Sequence, residues 1–160
     1  MPGELRTQPA MNDLKGRTCL VTGATHGIGR ATAESLARLG ADVLVHGRDS
    51  VVVGLVCREI VRASRNPSVT GVVADFASLA AVRRLAAEIT ERQGRLDVLI
   101  NNAGTSTRHR RLTNDGFEWQ FGVNHLAPFV LTNLLVDKLK ANAPARIVTV
   151  ASMAYRRGTI

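Results

Sequence analysis

"TGATHGIG", residues 22–29, decides how this chain folds. It follows the apolar run "RTCLV" and opens "GIGRATAESLARLG", in which Ile28, Ala31, Leu36 and Leu39 fall roughly on one face before Gly40. A strand enters the stretch, a helix leaves it, and three glycines take the turn. Gly23 permits a tight turn, Gly27 lets backbone approach a phosphate, and Gly29 allows helix and strand to pack closely. Amides at the helix start then face an anion, and a pyrophosphate suits them. Glycine-rich turns also occur merely to close strand–helix connections. The strand before and the helix after favour the binding role.

The same alternation continues along the chain. "ADVLVHG" reads as the second strand, and "SVVVGLVCREIVRAS" as a helix whose start is blurred by β-branched Val51–Val53. After the Asn66-Pro67 break comes the strand "SVTGVVAD". Ser78 is placed to cap the helix "LAAVRRLAAEITERQG", with Gly94 closing it. "RLDVLINNAG" is the fourth strand. A long helix from about Asp115 to Asn142 follows, with Asp115 and Glu118 as a capping pair, and "ARIVTVAS" is the fifth strand. These strands do not alternate polar and apolar residues, as expected for a parallel sheet covered on both faces. The pattern predicts an α/β fold: a Rossmann-type doubly wound parallel sheet, strand order 3-2-1-4-5, its crevice between strands one and four. Residues 16–160 form this domain, and residues 1–15 read as a loose leader.

Composition narrows the function. Hydrophobic residues make up 45% and charged residues 21% of the 160 positions, ordinary for a globular domain. No apolar run is long enough to span a bilayer, so no membrane partner and a cytoplasmic location are expected. Cys19 and Cys57 lack metal-ligand spacing and read as free, buried thiols. The net charge of +8 raises nucleic-acid binding, but only Arg108–Arg111 forms a basic run. Aromatics, at 4%, are too few to interleave as stacking platforms, so no nucleic-acid partner is expected. At the end of strand two, Gly47 offers no carboxylate for a ribose 2′-OH, while Arg48 offers a fork for a 2′-phosphate. Arg48 could be no more than a surface arginine, but the missing acid favours NADP(H) over NAD(H).

From about Lys15 onward the sequence resembles the short-chain dehydrogenase/reductase family. The glycine pattern matches that family's TGxxxGIG, and "NNAG" (101–104), "DFASLAAV" (75–82), "VNHLAPF" (123–129) and "VASMA" (150–154) follow in order. "DGFEWQFGVNHLAPFVLTNLL" and "APARIVTVASMAYRRG" look like its retinol-dehydrogenase-like branch. The resemblance implies that Gly23, Thr25, Gly27, Ile28 and Gly29 hold a dinucleotide. It also implies that Asp75 contacts the adenine beside Phe76, and that Asn102, Ala103 and Gly104 line the cleft. His26 reads either as an exposed turn residue or as a phosphate contact. The lesser alternative for Asn101 and Asn102 is simply to cap a strand end, and for Asn124 merely to bond a neighbouring carbonyl. His125 and Trp119 are given no role.

The resemblance further implies that Asn124 holds a water in a proton relay and that Ser152 hydrogen-bonds a substrate carbonyl or hydroxyl. The family completes its set with Tyr-x-x-x-Lys, whose lysine lowers the phenol's pKa. Tyr155 is followed four residues on by Thr159, and no lysine follows Lys140. The expectation is therefore an NADP(H)-linked oxidoreductase acting on a small-molecule carbonyl/alcohol pair, present as a fragment without its Tyr/Lys pair. The alternative is a non-catalytic NADP(H)-binding module or sensor. A fragment of this kind should leave Val98, Ile100, Val148 or Val150 bare for self-association or a covering partner.

Overall fold

The computed structural model describes residues 14–152. Its strands are β1 (Thr18–Val21), β2 (Asp42–Gly47), β3 (Val69–Val73), β4 (Val98–Asn101) and β5 (Arg146–Thr149). All pair in parallel in the order β3-β2-β1-β4-β5, as the sequence predicts. Between them run α1 (Gly27–Arg38), α2 (Ser50–Ser64) and α3 (Leu79–Arg92). After β4 come α4 (Trp119–Phe121), a π-helical segment (Gly122–Leu126) and α5 (Ala127–Ala141).

Successive strand residues point to opposite faces, and each face has its own core. Leu20, Leu44 and Leu99 pack with Leu85 and Ile89 of α3 and Leu131 and Leu135 of α5. Cys19, Val21, Val43, Val45 and Ile100 pack with Ala33 and Ala37 of α1 and Val53 and Ile60 of α2. Both cysteines are free and buried, and burial pushes the Cys19 thiol up to about 12.

Side-chain caps set the helix starts. The Asp49 carboxylate accepts from the Val51 and Val52 amides at 2.8 and 3.1 Å, which fixes a helix start that the valines left ambiguous. Ser78 accepts from the Ala81 amide at 3.3 Å and starts α3 as expected. Two expectations differ. Gly94 does not close α3 with a left-handed turn, because Gln93 is already extended at φ −95° and ψ 125°. The long helix begins at Trp119 rather than near Asp115. Asp115 instead accepts from the Leu79 amide of α3 at 2.8 Å, Gly116 turns the chain at φ +82°, and Glu118 alone caps, accepting from Phe121 N–H at 2.7 Å.

Of the expected leader, residues 1–13 lie outside the described residues. Leu14 donates its amide to Leu39 O at 3.3 Å and packs on the α1–α2 core. The bare face is also narrower than expected. Val148 and Val150 are 45% and 43% exposed, but Ile100 is buried and Val98 is partly buried. The core beneath α1 reaches across β4 and stops short of β5.

The amino end of the sheet is tied by one carboxylate. Asp97, 2% exposed, accepts from Arg17 Nη1 at 2.7 Å, the Thr18 amide at 2.8 Å and Arg95 Nε at 2.7 Å. Burial alone would raise its pKa, but the bonds from Arg95, Arg17 and Thr18 outweigh burial and hold it down at about 2. The folded value lies below the unfolded ~3.9. Its contribution is therefore complete above about pH 4 and is lost as pH falls toward about 2. Asp97→Asn should cost about 1–3 kcal/mol in urea unfolding at neutral pH. The difference from wild type should shrink across that acid window.

Candidate functional site

At the carboxyl end of β1 the chain must leave the sheet, and the glycine turn does this under tight constraint. Gly23 sits at φ +63°, and a Cβ there would lie 2.7 Å from Ala103 Cα. Gly29 is as confined: a Cβ would collide with Asn102 Nδ2 and Gly23 O. Gly27, at φ +56°, has nothing within 4 Å of where its Cβ would stand. Two of these glycines thus stand at close approaches and Gly27 in open space.

Thr22 and Asn102 lock the turn to β4. The buried Thr22 hydroxyl donates to Ile100 O at 3.2 Å and accepts from the Asn102 and Ala103 amides at 2.9 and 3.0 Å. Its capacity of one donor and two acceptor positions is filled. Asn102 Nδ2 donates to Thr22 O at 2.8 Å and Gly23 O at 3.1 Å. The two asparagines therefore divide their work. Asn101 is buried and donates to Thr132 Oγ1 on α5 at 3.0 Å, while Asn102 faces the turn.

Beyond the turn lies an open cleft of about 430 Å³. Its walls include Gly23, Thr25, His26, Gly27, Ile28 and Gly29 from the turn and helix start, and Arg48 after β2. Asp75 and Phe76 come from the end of β3, and Asn102, Ala103 and Gly104 follow β4. Every residue expected to hold a cofactor is thus brought to one cavity. The expected catalytic residues are not among its walls. Asn124 sits in the π-helical segment and pairs with the backbone of Thr105, accepting from its N–H at 2.7 Å and donating to its O at 2.8 Å. A π-turn inside a helix re-aims side chains and recurs at functional sites. Ser152 lies exposed just past β5, near the strand end where Val150 N–H donates to Asn101 O. Tyr155 falls outside the described residues.

Sequence patterns assign no role to three residues in or beside the cleft. Thr22 carries the bonds above. Trp119 lines the cleft, with the Arg111 guanidinium 4.2 Å above its ring. His46 also lines it, 3% exposed and stacked on Phe76 at 4.4 Å between centroids. A polar residue inside an otherwise apolar strand was the signal available for His46.

The family profile described as short chain dehydrogenase matches residues 17–160. The chain belongs to that family. It is 45% identical over 152 residues to retinol dehydrogenase 13 of Homo sapiens, covering 95% of this chain and 46% of that protein. It therefore spans about half the length of the curated relatives it matches. A metagenomic short-chain oxidoreductase solved in complex with NADP superposes with a TM-score of 0.79 at 30% identity, covering 91% of this chain and 66% of the other. An NADH-dependent reductase complexed with NAD also gives 0.79, at 31% identity over 94% of this chain and 65% of the other.

The residues present fit an anionic dinucleotide. Helix α1 receives no side-chain cap from its N-cap His26, whereas Asp49 and Ser78 cap α2 and α3. The start of α1 borders the cleft with Arg48 on the same wall. An uncapped helix start carries partial positive charge, and a phosphate can satisfy its amides. Gly23→Ala should be among the most damaging single changes, because it meets a left-handed φ and Ala103 backbone together. A loss of roughly 1–3 kcal/mol in denaturant midpoint analysis is expected.

Proposed function

We propose that this domain binds NADP(H) in the cleft and serves hydride exchange with a small-molecule carbonyl/alcohol pair. The observation that carries the cofactor preference is at the end of β2. A Cβ on Gly47 would stand 2.7 Å from Val53 Cγ2 and meet Thr25 as well, so that position has no room for an acid. Arg48 is then the first side chain after β2 to line the cleft, and its guanidinium suits a 2′-phosphate. The nicotinamide nucleotide would supply or accept the hydride. Ser152 is suited to hydrogen-bond the reacting oxygen, and Asn124 to hold a water for proton relay. The similarity to a retinol dehydrogenase supports an alcohol/aldehyde or alcohol/ketone substrate. Two buried free thiols suit a reducing compartment, in keeping with the cytoplasm.

A second reading is a nucleotide-binding module without turnover, supported by a cleft whose walls hold the expected cofactor residues but neither Asn124 nor Ser152. NADPH should bind it more tightly than NADH, and Arg48→Ala should reduce that preference by about ten- to a hundredfold, the worth of a charge-assisted contact. An unchanged NADPH/NADH ratio would remove Arg48 from the site. On the second reading, carbonyl reduction with NADPH stays far below the ~1 to 10³ per second of ordinary enzymes. If turnover is found, Tyr155→Phe identifies whether that phenol donates the proton.

A further inference from the structure

His46 has two ring partners, and both are backbone groups with fixed roles. Nδ1 lies 3.1 Å from the Gly23 amide, which can only donate. Nε2 lies 3.0 Å from Ala74 O, which can only accept. The ring must therefore be neutral, bare at Nδ1 and protonated at Nε2. His46 also accepts from the Ala24 amide through its own carbonyl at 2.8 Å. Two consecutive amides of the glycine turn thus end on one residue of β2. On the opposite side Ala103 blocks the space beside Gly23, so the turn is held between β2 and the β4 loop.

We propose that His46 is a positioning residue for dinucleotide binding: its neutral ring holds Gly23 N–H and fixes the phosphate-facing turn, so binding requires the uncharged imidazole. The proposal rests on the dinucleotide reading of the cleft. A protonated ring would aim a second donor at the Gly23 N–H, and that hydrogen bond would be lost. Burial lowers the His46 pKa to about 4, against smaller opposing effects of the Ala74 carbonyl and the Asp75 charge. The other charged or titratable side chains on the cleft walls are Arg48 after β2 and His26 in the turn. His26 is engaged with Thr25 Oγ1 at 3.2 Å. Because the folded value lies below the unfolded ~6.5, the ring's contribution is complete above that value. It fades as pH falls toward about 4.

The test uses the 160-residue chain and NADP+, with calorimetric titration of wild type, His46→Asn and His46→Phe. Asn can still offer an oxygen to Gly23 N–H, whereas Phe keeps the stack on Phe76 and loses both hydrogen bonds. His46→Asn should bind within about threefold of wild type, and His46→Phe should bind roughly three- to tenfold more weakly or worse. The wild-type to His46→Asn affinity ratio should hold between about pH 6 and 5 and fall as pH drops through about 4, because only wild type carries an ionisable ring at position 46. Nitrogen-15 spectra of the free wild-type protein should show His46 protonated at Nε2 alone at neutral pH. A proton on Nδ1, or wild-type affinity in folded His46→Phe, would overturn this role alone. No NADP+ or NADPH binding by folded wild type would overturn the dinucleotide reading and this role with it.

Discussion

At the carboxyl ends of β1 and β4 the sheet splits, and backbone amides there lose the ladder that satisfied them. Thr22 and Asn102 replace it with side-chain bonds that span about eighty residues of sequence. A buried amide left without a partner costs more than a made hydrogen bond contributes, so this exchange decides whether the split can exist. The glycine turn depends on it directly: Gly23 and Gly29 are confined by Ala103 and Asn102, the residues that Thr22 and the turn carbonyls hold. The cleft exists because these contacts keep the two strand ends together while the chains beyond them diverge.

Much of this was legible in the sequence because it rests on local rules. Three glycines between an apolar run and an amphipathic stretch announce a strand–turn–helix, and continuous apolar strands announce a parallel sheet. Ser78 could be placed at a helix start because capping acts within three residues. Asp115 misled because its partner is Leu79, thirty-six residues away, and no local rule connects them. Similarly, Ile100 was expected to be bare because strand spacing does not say how far an overlying core extends. Asn124 was placed on a helix, but its π-turn and its two-point grip on Thr105 depend on loop packing that periodicity does not encode.

His46 shows another limit of pattern reading. Inside an apolar strand it resembles a core position, and by burial it is one. Its chemistry comes from the partners that topology delivers: the β1 turn on one ring nitrogen and the end of β3 on the other. Strand order 3-2-1 puts β2 between those two segments, so only a residue at the end of β2 can bridge them in this way. The sheet order was predictable, but the bridging role required both neighbours to be in place.

The two ends of the sheet solve opposite electrostatic problems. At the amino end, the buried Asp97 charge is surrounded by Arg17, Arg95 and a backbone amide, so the carboxylate has its donors supplied within the fold. At the carboxyl end, the buried polar groups of the turn are neutral: a threonine hydroxyl, an asparagine amide and an uncharged imidazole. A fixed buried carboxylate there would compete with a phosphate for the helix start. Neutral groups instead satisfy the amides of the bend and leave the positive end of α1, with Arg48 beside it, facing open space. Separating charged anchoring from uncharged scaffolding lets one small sheet be tied at one end and keep the α1 start uncapped at the other.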